Sequence, residues 1–136
     1  MFAVLSDPFT YGDWVVGSDA VREADPEWPA PGARLHHRVG LGPLSVDDHT
    51  EVLECDAPWR LALRAQARPL GSARVELILT PRQQATLVTM LETADGTLSR
   101  LTQNALTDWA IDLRNRESLR RLARLAEARE SHLSGA

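Results

Sequence analysis

The chain has 136 residues, 43% of them apolar, a formal net charge of −4 and no stretch apolar enough to cross a bilayer, which predicts one domain over residues 1–136. All its basic residues other than histidine are scattered arginines, which argues against a nucleic-acid surface, membrane insertion or lysine Schiff-base chemistry, and we expect no cofactor. The lone Cys55 cannot form an internal disulfide, and the N-terminus lacks the pattern of a secretory signal, so we expect a cytoplasmic protein.

The first fourteen residues are predicted to form two short helices. They divide at Ser6-Asp7-Pro8, where Ser6 or Asp7 can cap a helix and Pro8 suits a first helical turn. The following stretch, 17–32, is rich in proline, glycine and acidic residues, so we expect an irregular surface connection around Trp28.

From Ala33 the apolar period changes to two, which indicates strands. If Gly42-Pro43 forms the turn, position i faces position 85 − i, so Arg34 meets Glu51 and Arg38 meets Asp47 on one face. Apolar pairs then occupy the other face. Opposite charges on one side and apolar pairs on the other are typical of a correct hairpin register.

Three further strands follow, at 60–68, 72–80 and 85–93, with a connection at 81–84. Their alternation gives one polar face and one apolar face, and the small alanines at 65, 67 and 73 leave room above the apolar face. We predict that the pocket floor consists of Leu63, Ala65, Val75, Leu77, Val88 and Met90.

The C-terminal part, from Thr97 to about Glu130, is free of proline and glycine and is predicted to form one helix. Trp109 and Leu113 lie on its broad apolar face, which is expected to cover the sheet. The fold class is therefore α+β: a curved antiparallel sheet, two short N-terminal helices and a long C-terminal helix.

The segments FAVLSDPFTYGDWVVGS, HHRVGLGP, DHTEVLECDAPWRLALRA and RNRESLRRLARLAE resemble the SRPBCC superfamily over nearly the whole chain. This helix-grip group contains START lipid-transfer domains, pollen-allergen-like proteins and bacterial polyketide cyclase/dehydrases. The resemblance implies a sheet wrapped around the C-terminal helix with a hydrophobic pocket between them. It carries no shared catalytic set, so it transfers no active site.

The family pattern places a strand before the segment Phe2 to Asp7, and this chain starts inside that helix. Either the true start of the chain lies upstream or this protein lacks that first family strand. We expect a six-stranded sheet core in which the strand around Val88 is an open edge. Such an edge invites a partner strand and makes a homodimer a candidate assembly.

Two histidine pairs are candidates for chemistry. In the predicted register His37 faces Asp48 on the apolar side, either as a general acid/base pair or as a buried pair that is only mutually satisfied. His36 and His49 meet on the opposite face, where two imidazoles are too few for a zinc site, so we predict no metal.

Three other polar or aromatic features are candidates. On the helix, Asp112 and Arg116 form either the polar end of the pocket or a simple intrahelical ion pair. Glu92, placed opposite Ala73, is a third inward polar group. Trp14 is expected to close the pocket mouth, whereas Trp28 and Trp59 lie in proline-rich turns and are expected to pin loops.

The sequence favours noncovalent binding of a polyketide-, lipid- or isoprenoid-like molecule between sheet and helix. His37, Asp48 and Arg116 would orient it. Two alternatives stay open: polyketide cyclisation or dehydration by His37 and Asp48, and a dimerisation scaffold that binds no ligand.

Overall fold

A computed structural model describes residues 1–16, 21–39, 46–66, 72–95 and 105–134. The N-terminal helices are α1 (Phe2–Leu5), a 3-10 turn (Pro8–Thr10) and α2 (Tyr11–Trp14). The strands are β1 (Glu23–Ala24), β2 (Arg34–Val39), β3 (Val46–Asp56), β4 (Arg60–Gln66), β5 (Ser72–Arg82) and β6 (Ala85–Asp95), and the C-terminal helix is α3 (Ala105–Ser134).

The helical opener, defined as residues 1–14, divides at Ser6-Asp7-Pro8, as the sequence predicted. Asp7 caps the 3-10 turn, since its carboxylate accepts a hydrogen bond from the Phe9 backbone N–H at 3.1 Å, and Pro8 occupies the first position. The opener is fastened to the rest of the fold by Trp28, whose indole N–H donates to the Leu5 carbonyl at 3.1 Å. Trp28 is buried and holds its loop, as predicted.

The six strands form one curved antiparallel sheet in the order β1-β2-β3-β4-β5-β6, which confirms the predicted α+β helix-grip arrangement. Strand β1 corrects the expectation that 17–32 is wholly irregular. Its pairing with β2 is extended by hydrogen bonds from Arg22 N–H to the His36 carbonyl and from Asp25 N–H to the Arg34 carbonyl. These bonds satisfy backbone groups on that side of β2.

The β2–β3 hairpin has the predicted register. Arg34 faces Glu51 and forms a 3.5 Å ion pair, and Arg38 lies 3.6 Å from Asp47. The predicted turn at Gly42-Pro43 lies outside the described residues. Opposed charges on the outer face therefore fix the alignment that also brings His37 opposite Asp48 on the inner face.

The β5–β6 hairpin corrects another expectation. The predicted connection at 81–84 shortens to Gln83-Gln84, because Arg82 still pairs with Ala85 and Pro81 with Thr86. Glu92 consequently faces Val75 and not Ala73. The shift is two residues, so each side chain keeps the face that alternation predicted.

The inner face of the sheet, defined as the face that carries His37, Leu63 and Leu77, forms the core together with the N-terminal helices and α3. A β-bulge between Val52 and Glu54 shifts the pairing of β3 and β4 there. The fully buried side chains on this face include Leu35, Val52, Leu61, Leu63 and Leu77.

Helix α3 turns a different side inward from the one predicted. Leu113 is 44% exposed, whereas Leu122 is fully buried and Ala126 is 8% exposed. Ser118 lies on the same inward side and accepts a hydrogen bond from the Val16 backbone N–H at 3.1 Å. The observed inward side is rotated by about a quarter of a turn from the predicted one. The predicted start of the helix, 97–104, lies outside the described residues.

The rotation has a packing reason. Helix α3 packs against α1 and α2 as well as against β6, so its buried side is set by the helical opener in addition to the sheet. The apolar period of the helix carries no information about this second partner, so the predicted side differs from the observed one. No helix in the described part of the chain is long and apolar enough to span a membrane.

Candidate functional site

A buried chain of polar side chains crosses the space between α2 and the inner face of the sheet. The Nε2 atom of His37 lies 2.9 Å from Thr50 Oγ1, and that oxygen lies 3.3 Å from the Tyr11 hydroxyl. His37 is 3% exposed, Thr50 is fully buried and Tyr11 is 6% exposed. We call these three residues the hydroxyl–imidazole chain.

Aromatic packing fixes the orientation of this chain. The Tyr11 ring lies 5.2 Å from the His37 imidazole and 5.4 Å from the Trp14 ring, the latter in an edge-to-face arrangement. Trp14 is 3% exposed and belongs to the core cluster. It packs against Tyr11, and the expectation that it closes the pocket mouth stays a prediction.

Burial keeps both titratable members of the chain neutral. Burial lowers the pKa of His37, and a hydrogen bond to the backbone of Arg38 and the charge of Asp48 oppose this effect in part. Burial likewise raises the pKa of the Tyr11 hydroxyl. At neutral pH the chain therefore presents an uncharged imidazole and two hydroxyls.

Asp48 is the charged neighbour of this chain. It is opposite His37 in the register, its side chain is fully buried, and it acts on His37 through its charge. Its carboxylate accepts a hydrogen bond from the His49 backbone N–H at 2.9 Å and lies 3.7 Å from the His49 imidazole. The His37–Asp48 juxtaposition is thus present, and the proposed acid/base role of the pair stays a prediction.

A second polar group joins β6 to α3. Glu92 accepts hydrogen bonds from Arg114 at 2.6 Å and from the Asn115 amide at 2.7 Å. Its side chain is 12% exposed, so it lies inward as predicted, although in a different register. Arg114 and Glu92 both act electrostatically on Tyr11, which places this group near the hydroxyl–imidazole chain.

A row of small side chains crosses the sheet beside the hydroxyl–imidazole chain. Thr50 pairs with Ala65, and Ala65 pairs with Ala73. Ala65 remains half-buried although it lies on the inner face. Ala67, the third alanine in the prediction, lies outside the described residues. Thr50 is fully buried and Ala73 is 6% exposed, so Ala65 is the member of this row that keeps accessible surface.

The predicted pocket floor divides into two groups. Leu63 and Leu77 are fully or almost fully buried in the core. The half-buried members lie toward β6 and the row of small side chains; they are Ala65, Val75, Val88 and Met90. The second group is therefore the part of the floor that retains accessible surface.

The predicted site residues on α3 that the structure describes are exposed to solvent. Arg116 and Asp112 form a 3.1 Å ion pair one turn apart and are 73% and 63% exposed, which agrees with the simple intrahelical alternative. Leu113 is 44% exposed, and its place in the pocket roof stays a prediction. The side chain of Trp109 lies outside the described part of the structure.

Tyr11 and Thr50 were missed as polar site residues. A signal was available: Thr50 and His37 share the inward side of one hairpin, where a hydroxyl needs a hydrogen-bond partner. The reach of Tyr11 was not predictable, because it depends on how the opener packs on the sheet.

Comparison with known proteins gives one family and a shared fold. The chain matches the family described as "Polyketide cyclase / dehydrase and lipid transport" over residues 1–127. A search of curated proteins finds no significant match.

Two crystal structures share the fold. A protein from Rhodobacter sphaeroides has a TM-score of 0.68 and 22% identity, and the alignment covers 93% of this chain and 82% of that one. A protein from Nitrosomonas europaea has a TM-score of 0.66 and 16% identity, with coverage of 96% and 86%.

Proposed function

We infer the function of this protein from one premise: the chain belongs to the polyketide cyclase/dehydrase and lipid transport family. We propose that it binds a polyketide-, lipid- or isoprenoid-like molecule noncovalently between the inner face of the sheet and α3. The apolar body of the ligand would lie over Ala65, Val75 and Met90. An oxygen of the ligand would meet the hydroxyl–imidazole chain. We further propose that this takes place in the cytoplasm, within one domain formed by the chain.

The proposal depends on one observation: the hydroxyl–imidazole chain lies directly beside the row of small side chains. Thr50 belongs to both features, since it contacts His37 and pairs with Ala65. Ligand pockets typically combine apolar walls with a few convergent polar groups that fix orientation. The juxtaposition supplies both elements in one place.

The electrostatics favour a particular kind of polar group on the ligand. The hydroxyl–imidazole chain is neutral at physiological pH, because burial lowers the pKa of His37 and raises that of Tyr11. Asp48 acts on His37 through its charge, and at Tyr11 the effect of Arg114 is larger than the opposite effect of its partner Glu92. A hydroxyl or ketone oxygen of the ligand can exchange hydrogen bonds with the neutral imidazole and hydroxyls.

Native mass spectrometry of the protein purified from its own host cells tests this proposal. We expect a retained apolar compound that carries hydroxyl or carbonyl oxygens and dissociates without covalent-bond cleavage. The same protein with Ala65→Phe provides the control, because the larger side chain occupies the proposed space. Protein that is ligand-free in repeated preparations, or that retains the compound equally with Ala65→Phe, would contradict the proposal.

The second candidate function is cyclisation or dehydration of a polyketide, with His37 as general base and Asp48 as its electrostatic partner. The neutral state of the imidazole favours it, because a base must be unprotonated at the working pH. The test incubates the compound recovered by mass spectrometry with wild-type protein and with His37→Ala. Loss of turnover with retained binding supports catalysis, whereas equal turnover excludes His37 as the base.

A third candidate is a scaffold that binds no ligand and associates through β6. The exposed leucines of β6 favour association, but they do not argue against a ligand. Ligand retention and association are therefore measured separately, and only association without retention supports this candidate.

A further inference from the structure

Among the described residues, strand β6 forms one edge of the sheet. It spans eleven residues, its pairing with β5 runs through its whole length, and no strand among the described residues pairs with its other side. The opposite edge, β1, has only two residues and begins next to Arg22, which forms an ion pair with Asp47 at 3.3 Å. Short length and charge are the features that normally protect a sheet edge; β6 is long, and its charged residues, Glu92 and Asp95, lie only at its C-terminal end.

The outer side of β6 is also apolar. Leu87 is 48% exposed and Leu91 is 50% exposed, and Thr89 lies between them on the same side. No residue from Ala85 to Leu91 is charged or is a proline. Two exposed leucines in the uncharged part of an edge strand form a surface that pairs readily with another strand.

The sequence of β6 is self-complementary about Thr89. In an antiparallel pairing with a second copy centred on Thr89, position i meets position 178 − i. Leu87 then meets Leu91 of the copy on the outer face, and Val88 meets Met90 on the inner face. The pairing is isologous, because both copies contribute the same surface.

The backbone geometry suits this register. The β5–β6 hairpin has a two-residue turn closed by Arg82 and Ala85, so the odd-numbered residues of β6 exchange hydrogen bonds with β5. The peptide groups of Thr86, Val88, Met90 and Glu92 consequently point to the open side. In the register centred on Thr89, Val88 and Met90 of the two copies form hydrogen-bonded pairs, as an antiparallel ladder requires.

The charges are compatible with the same register. Glu92 is the first acidic residue of β6, and it is already paired with Arg114 of its own chain. In the pairing it meets Thr86 of the copy, so no like charges are opposed across the ladder. We propose that β6 pairs antiparallel with β6 of a second copy, centred on Thr89, to form a symmetric dimer with a continuous sheet.

A charge-exchange experiment tests both the dimer and its register. Leu87→Glu and Leu91→Lys each place an unpaired charge against a leucine of the copy, and we expect each to raise the dimer dissociation constant about tenfold or more. The double variant places Glu at position 87 against Lys at position 91 of the copy, twice across the axis. We expect it to restore the dimer to within about threefold of wild type. Within one strand the two positions are four residues apart, too far for an intrachain pair.

Sedimentation velocity over a concentration series gives the dissociation constants, and circular dichroism verifies that each variant is folded. Phe9→Glu is the control, since Phe9 is 60% exposed and lies in a groove with Ala24 of the opposite edge. It is expected to leave the dimer unchanged. A wild-type protein that stays monomeric, or a dimer that withstands both single variants, would overturn the proposal. Single variants that dissociate without rescue by the double variant would overturn the register.

Discussion

Thr50 Oγ1 lies 2.9 Å from the Nε2 atom of His37 in the buried interior between the sheet and the N-terminal helices. The two residues come from neighbouring strands that the outer-face ion pairs hold in register. Thr50 also contacts the Tyr11 hydroxyl, so a single side chain connects the sheet to the opener. The same threonine begins the row of small residues that we assign to the ligand.

Replacement of Thr50 by valine tests whether this contact stabilises the fold. Thr50→Val keeps the shape but removes the hydroxyl, so His37 and Tyr11 each lose a buried partner, and we expect the free energy of unfolding to fall by about 1–3 kcal/mol. Thr80→Val, on the outer face of β5, is the matched control and is expected to change it by less than about 0.5 kcal/mol. Urea unfolding measures both. Equal effects would show that the hydroxyl makes no buried contribution.

The stability of the protein is expected to depend on the protonation of His37. Burial lowers its pKa in the folded state, whereas the unfolded chain has the ordinary value of 6.5. As the pH falls below 6.5, His37 binds a proton in the unfolded state but stays unprotonated in the folded state, which favours unfolding. The contribution of His37 to stability is therefore complete above pH 6.5 and is lost as the pH falls toward the folded-state pKa.

His37→Gln removes this dependence. The difference in unfolding free energy between wild type and His37→Gln should therefore shrink as the pH is lowered from about 8 to about 5. Denaturant titrations of both proteins across this range provide the comparison. A difference that is constant or that grows at low pH would contradict the lowered pKa.

Helix α3 offers a test of which side faces inward. Leu122→Ala removes a fully buried side chain and is expected to lower the free energy of unfolding by about 2–5 kcal/mol. Leu113→Ala makes the same substitution in the same helix at a position that is 44% exposed, so we expect a loss of about 1 kcal/mol or less. Thermal and urea unfolding give both values. A larger effect at Leu113 would restore the orientation that the sequence predicted.

Glu92 is expected to matter more than a comparable surface carboxylate. Glu92→Gln weakens the hydrogen bonds to Arg114 and Asn115 that connect β6 to α3, and we expect a loss of about 1–2 kcal/mol. Glu54→Gln alters an ion pair with Arg60 on the outer face, where solvent screens the charges. Chemical unfolding at low and moderate salt measures the two variants. A larger loss for Glu54→Gln would contradict the ranking.

Local patterns predicted most of the sheet because its register is encoded in adjacent strands. The opposite charges of Arg34 and Glu51 at matched positions predict that the two residues pair. The period of two in the apolar residues predicts which face of the sheet each side chain occupies. The β5–β6 register failed by two residues, since Pro81 suggested a longer turn than the strand pairing permits.

Contacts between segments far apart in the chain could not be predicted from the sequence. The inward side of α3 depends on α1 and α2, whose placement no periodicity in α3 reports. Tyr11 reaches Thr50 across thirty-nine positions of chain, and this contact exists only after the opener has docked. His37 and Asp48 were found because one hairpin brings them together.

The central claim is that a ligand occupies the space above the row of small side chains. Fluorescence titration with N-phenyl-1-naphthylamine, an uncharged apolar probe, tests it with wild type, Ala65→Phe and the surface control Phe9→Ser. The account predicts saturable binding to wild type and to Phe9→Ser, and binding weakened about tenfold or more in a folded Ala65→Phe protein. Unchanged probe binding in Ala65→Phe, or a destabilisation of about 1–3 kcal/mol from overpacking at that position, would show that no ligand space exists there.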